Sequence, residues 1–153
     1  MTKEEFAVIR QHTYFTYSIL NTIGGLQHIA EWAAFHHERL DGSGYPFHHE
    51  AGRIGTGARI MAVADIFTAM AEDRPYRKGM GYEEIKKILR KQADMNIVDK
   101  RIVQLVLDNY RDIVNKVMER QVVTRDFYER QFAVIGADLP TADAAAFELS
   151  SAN

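Results

Sequence analysis

Apolar residues in the first part of the chain recur at helical rather than strand spacing. Phe6, Ile9, Phe15, Ile19, Leu20 and Ile23 form one such recurrence. Thr2 and Glu5 have the spacing of a capping box, in which each side chain satisfies a free backbone N–H at the helix start. Gly24-Gly25 ends the pattern. A second helix is predicted from about Gln27 into His36-His37-Glu38. Its middle, Ile29, Ala30, Trp32, Ala33, Ala34 and Phe35, is apolar on every side, which predicts a buried helix. Residues 41–57 hold five of the ten glycines without sustained periodicity and read as a loop. A third helix, about Ala58 to Glu72, is again apolar almost all round (Ile60, Met61, Val63, Ala64, Ile66, Phe67, Met70). A fourth is expected over about Tyr82–Ala93. A fifth begins near Asn96 or Asp99, with Val98, Ile102, Leu105, Val106, Ile113 and Val117 as its inward stripe, and weakens through Phe127 and Phe132 to Gly136. No segment alternates as a strand. The expected fold class is all-α, with about five main helices and a frayed Ala/Ser-rich tail over Thr141–Asn153.

The chain has 153 residues, 46% hydrophobic and 26% charged, which suits one ordinary globular domain. It has no cysteine, so thiolate drops out of any metal-site reasoning and imidazole and carboxylate remain as the strong ligands. A net charge of −2 supplies no overall field for a nucleic-acid polymer. The segment Asp73–Lys91 is the basic exception, with seven Lys/Arg against three Asp/Glu. No run approaches the roughly 18 apolar residues that cross a bilayer. The opening residues lack the basic and apolar regions of a signal peptide. A cytoplasmic protein without a membrane partner is the expectation.

Two features point to a cation. Asp65 sits mid-helix among Met61, Ala62, Thr68 and Ala69, where an isolated carboxylate must be neutral, paired or bound to a cation. Pairing with an arginine such as Arg59 accounts for it equally well. The tandem His36-His37 ends an apolar helix, and helical neighbours point about 100° apart. That divergence suits two metals, or a metal and a substrate contact, better than two ligands of one ion. His12, between Ile9 and Phe15, places a further imidazole on the apolar face of the first helix. His48-His49 lies in a polar loop and is expected to be solvent-exposed. Three helices thus aim three imidazoles and one carboxylate inward, as helical bundles do at metal sites. Nitrogen and oxygen ligation without sulfur suits Fe, Mn or Zn.

The run His36-His37-Glu38-Arg39-Leu40-Asp41-Gly42-Ser43-Gly44-Tyr45-Pro46 resembles the HHExxDGxGYP signature of HD-GYP domains at every fixed position. Arg59 to Asp65, followed by Asp73-Arg74-Pro75-Tyr76-Arg77, resembles that family's next block. The likeness covers roughly residues 2–118, with 119–153 as a helical extension and tail. It implies a helical bundle of the HD superfamily and a metal-dependent phosphodiesterase acting on cyclic di-GMP. By the same resemblance His12, His36, His37 and Asp65 are metal ligands and Arg74 and Arg77 contact substrate phosphates. Asp41, Gly42, Gly44, Tyr45 and Pro46 shape the loop over the site. The implied partners are a cyclic dinucleotide and a GGDEF-type domain docking on the loop.

The chain departs from the family in one respect. Ordinary members carry a His-Asp dipeptide upstream of the His12 helix, and this sequence, beginning with Met1 just before that helix, contains none. The bundle is therefore expected to be incomplete at its amino terminus and to bind one ion or none. No catalytic residue is assigned, and the isolated chain is expected to be inactive. The alternative is a degenerate regulatory module that binds a cyclic dinucleotide or a GGDEF-type partner without cleaving it. Core exposed by absent helices suggests a homodimer or a domain swap.

Overall fold

In the computed structural model, residues 2–73 and 77–136 are described. Thr2 caps the first helix α1 (Lys3–Asn21). Its hydroxyl accepts from the Glu5 N–H, and a Glu5 carboxylate oxygen accepts from the Thr2 N–H at 2.7 Å, so both halves of the capping box are present. Helix α2 (Gln27–Ala34) runs directly into a 3₁₀ turn, Phe35–His37. The loop after it contains an isolated bridge between Asp41 and Glu50 and a second 3₁₀ turn, Ala51–Arg53. Then come α3 (Thr56–Ala71), α4 (Tyr82–Asp94), α5 (Lys100–Asp108) and α6 (Tyr110–Gly136). The described residues are all-α, with no strand. The fifth helix read from the sequence is two helices, α5 and α6, meeting at Asn109. Asp99 is the N-cap of α5, its carboxylate accepting from the Arg101 and Ile102 N–H groups. Thr141–Asn153 lie outside the described residues. The chain forms two compact units, Met1–Val114 and Asn115–Asn153.

Within the first unit α1 packs on α2, and α2 on α3; α3 touches the Phe35–His37 turn, α4 and α5. Val63, Phe67, Ile85 and Leu89 are almost fully buried, and Ala34, Phe35, Ile54 and Ala58 form a second buried cluster under Tyr17, Leu40 and Phe47. The buried faces of several helices depart from the apolar periodicity. The stripe on α1 faces outward, with Ile9, Phe15 and Ile19 at 50%, 54% and 64% exposure, whereas Thr13 is fully buried and Tyr17 and Leu20 half-buried. Helix α2 buries only Ala30 and Ala34, while Ile29 and Trp32 are exposed. Helix α3 buries Ala58, Ala62, Val63, Phe67 and Met70, leaving Ile60 and Met61 open. On α5 the inward pair is Val103 and Leu107, an i, i+4 pair, and Leu105 is exposed. Stripes defined by apolar residues alone misplace the buried face where apolar residues surround the helix.

Arg59 ties α3 to the rest of the unit. Its guanidinium donates to Asp99 at 2.9 Å and to the carbonyls of Ala51 and Ile54 at 2.6 and 2.8 Å. It therefore pairs with Asp99, not with Asp65.

Candidate metal centre

The three histidines read from the sequence come together. Ligand atoms of His12, His36 and His37 all lie within 4.8 Å of one another. His12 is brought by α1 and the other two by the 3₁₀ turn that ends α2. The expected divergence of His36 and His37 does not occur. Their ring centroids are 4.0 Å apart, and both approach His12, at 5.6 and 5.3 Å. His12 joins from the exposed rim of α1 instead of from a buried face.

Local backbone groups fix how two of the imidazoles face the cluster. His12 Nδ1 lies 2.6 Å from the Ile9 carbonyl and His36 Nδ1 lies 2.7 Å from the Ala33 carbonyl. A carbonyl only accepts, so each Nδ1 carries the proton and each Nε2 presents a lone pair, the tautomer a metal requires. His37 is partly withdrawn from water. Its pKa falls from 6.5 to about 4, chiefly through burial, with the charges of His36 and His12 adding to the drop and Asp65 opposing it. At neutral pH it is uncharged.

Asp65, on α3, is 47% exposed and not surrounded by apolar side chains as its helical position suggested. Its Oδ2 is 4.0 Å from His37 Nδ1. It reaches the cluster through His37 and lies outside the group whose atoms share the 4.8 Å spacing. The His37–Asp65 spacing is an ion-pair distance, which sets the carboxylate at the edge of the histidine cluster. Neutral imidazoles with oriented lone pairs, one carboxylate and no sulfur form a donor set that fits a divalent Fe, Mn or Zn ion.

The loop after the turn packs back onto it. Glu38, only 4% exposed, accepts from the Phe47 N–H at 2.7 Å and the His49 N–H at 3.0 Å, one on each carboxylate oxygen. The Tyr45 N–H donates to the His37 carbonyl at 3.2 Å. Gly44 is buried against this turn, and a Cβ there would run into the backbone of Glu38 and Arg39. Gly42 has φ +78°, the left-handed region that favours glycine. Asp41 accepts from both the N–H and the hydroxyl of Ser43, at 2.9 and 2.7 Å, and the first of these bonds does most to hold its carboxyl below the usual range. The Tyr45 ring lies 4.9 Å from that of His37, with Pro46 half-buried behind it. Burial raises the Tyr45 hydroxyl pKa; Arg10 and Arg39 pull it down and Asp65 pushes it up. Of the His48-His49 pair only His48 is exposed, and His49 stacks on Phe47 at 5.5 Å.

Of the two arginines read as phosphate contacts, Arg77 alone falls among the described residues. Arg74 lies outside the described residues. Arg77 donates to the carbonyls of Met70 at 3.3 Å, Lys78 at 3.2 Å and Ala69, so its guanidinium is spent on the carboxy-terminal end of α3. Beside the histidines is a cleft of about 300 Å³, and the cations lining it are Arg10 and Arg39, which the sequence reading passed over. Arg10 stands one helical turn after Phe6 and lies over its ring, a pair visible at i, i+4 spacing. Arg39 sits inside the loop signature at a variable position. Gln92 lines the same cleft, and its buried Oε1 has no hydrogen-bond partner among the described residues.

Residues 1–102 match the HD domain family. The chain belongs to the HD domain family. The matched span holds all four candidate ligands and the loop. The HD domain is 34% identical over 109 residues to 3'3'-cGAMP-specific phosphodiesterase 1 of Vibrio cholerae, covering 71% of this chain and 25% of that protein. It is 44% identical over 86 residues to a cyclic di-GMP phosphodiesterase of Thermotoga maritima, covering 55% and 23%. The cyclic di-GMP phosphodiesterase response regulator RpfG of Xanthomonas campestris is 35% identical over 109 residues, covering 70% and 29%. The chain thus spans about a quarter of the length of these relatives. No helix among the described residues is long and apolar enough to cross a membrane.

Proposed function

We propose that this HD domain carries a metal-dependent phosphodiesterase site for a cyclic dinucleotide, with His12, His36, His37 and Asp65 as ligands for one divalent ion. The convergence of three imidazoles within 4.8 Å, beside Asp65 and a cleft lined by two arginines, carries the reading. The names of the relatives supply the substrate class, cyclic di-GMP or 3'3'-cGAMP. A bound ion supplies Lewis acidity toward a phosphoryl oxygen. The chain's own residues do the rest. Ile9 and Ala33 carbonyls orient His12 and His36, Glu38 holds the loop against the turn, and Tyr45 packs on His37.

Four ligands satisfy one ion, and no His-Asp dipeptide occurs in the 153 residues. The isolated chain is therefore expected to bind a cyclic dinucleotide when loaded with Mn or Fe but not to hydrolyse it. Calorimetric titration with cyclic di-GMP, with and without metal, checks the first part and product analysis the second. Absence of binding by the metal-loaded chain overturns the site, and sustained metal-dependent turnover overturns the one-ion count. A regulatory role through a GGDEF-type partner would have to use the exposed loop residues Asp41, Ser43, His48 and Glu50, since Gly44 and Tyr45 are turned onto the histidine turn.

A further inference from the structure

We propose that Arg10 and Arg39 form the anion seat of this cleft, taking a phosphate group beside His36 and His37 in place of Arg77. The inference rests on the phosphodiesterase reading for the identity of the natural ligand but not for the seat itself.

Both guanidiniums line the cleft that His36, His37, Ser43 and Tyr45 also line. Among the described residues neither forms an ion pair with a carboxylate. The two acids nearest Arg39 in sequence hydrogen-bond to other groups: Glu38, which also lines the cleft, holds the N–H groups of Phe47 and His49, and Asp41, which feels the Arg39 charge, holds Ser43. Arg10 is oriented by aromatic faces, lying 4.5 Å from the Phe6 ring centre and 4.9 Å from that of Tyr45. Stacking of this kind fixes the plane of a guanidinium while leaving its N–H donors unspent. Arg39 spends one Nη1 donor on the Ser43 hydroxyl at 3.3 Å, which steadies it and leaves its other donors available. Both act on the Tyr45 hydroxyl, so the two charges share one neighbourhood.

Two like charges beside one cleft repel each other, and an anion between them relieves that repulsion. Phosphate fits better than a carboxylate alone. Its oxygens can accept from two guanidinium forks together. The Tyr45 ring lies between Arg10 and His37, 4.9 Å from each, so an anion held by Arg10 sits next to the candidate metal ligands. Arg77, by contrast, has its donors directed to the carbonyls of Ala69, Met70 and Lys78.

The test uses the full metal-free chain and inorganic phosphate at low ionic strength, with binding read from the arginine Nε–H signals by NMR. Saturable binding is expected in the wild type, about tenfold or more weaker in Arg10→Gln and in Arg39→Gln, and lost in the double variant. Both side chains are exposed, so the variants should keep the wild-type far-ultraviolet circular dichroism. Saturable binding with wild-type affinity in the double variant overturns the seat, as does its absence from the wild type. Should phosphate binding follow Arg10 and Arg39 while the metal-loaded chain ignores cyclic di-GMP, the anion seat stands and the dinucleotide reading falls.

Discussion

At the scale of single residues, the site depends on which nitrogen of each histidine carries a proton. Main-chain carbonyls one turn back settle this for His12 and His36. For His37 the controlling effect is partial burial beside two other imidazoles. By NMR in the metal-free chain, His37 should titrate near pH 4, far below an ordinary histidine. Since the unfolded chain holds that proton up to about pH 6.5, the stability linked to His37 is complete above that pH. It is lost as the pH falls toward 4. A His37 midpoint near 6.5 would show that the cluster is not desolvated. Asp65→Asn should weaken metal binding by at least about tenfold, measured by competition with a chelator, because a neutral amide replaces the one anionic ligand. Unchanged affinity would remove Asp65 from the ligand set. The identities of all four candidates were legible in the sequence. Their environments were not: Asp65 is exposed, and His36 and His37 converge within a 3₁₀ turn that no periodicity announces. Arg77 could not be read either, since its attachment to α3 depends on the chain folding back at Met80, whose N–H donates to Met70 at 2.8 Å.

At the scale of elements, the ligands are held in place by polar attachments as much as by apolar packing. The Arg59–Asp99 pair joins α3, which carries Asp65, to the start of α5. Burial raises the Asp99 carboxyl pKa, but Arg59 and the N–H groups of Arg101 and Ile102 outweigh it and leave it lowered. Asp99→Ala removes a helix cap, about 1 kcal/mol, and a charge-assisted hydrogen bond, about 1.5–3 kcal/mol. A loss of about 2–4 kcal/mol by urea denaturation is expected. With its pKa depressed in the fold, the Asp99 contribution is present above about pH 4 and lost as the pH falls further. A wild-type denaturation midpoint in this variant would show that the attachment contributes nothing. Glu38 does the same for the loop, and Glu38→Gln should destabilise by about 1–3 kcal/mol, because an amide can accept from only one of the two N–H groups. Helix starts were readable where chemistry marks them, as at Thr2/Glu5 and Asp99. The buried face of α1 was not, because apolar residues lie on both sides of that helix and only its packing on α2 decides that Thr13, not Ile9, faces inward.

For the molecule as a whole, the all-α fold was evident from periodicity and the family from the loop signature, while the extent of buried surface was not. Ile9, Phe15 and Ile19 on α1 and Ile60 and Met61 on α3 remain exposed, large apolar side chains that association with a second copy would cover. The chain should therefore self-associate with rising concentration. Light scattering that gives one monodisperse monomer across the accessible range would contradict this. The central claim is that three imidazoles and Asp65 hold a single cation, and counting metal ions tests it most directly. Elemental analysis of the purified chain reconstituted with Mn, Fe or Zn should give about one ion per protomer. The count should fall to near zero when His12, His36 and His37 are all replaced by alanine. A reproducible count of two or more, or no bound metal in a folded chain with its histidines intact, would contradict it.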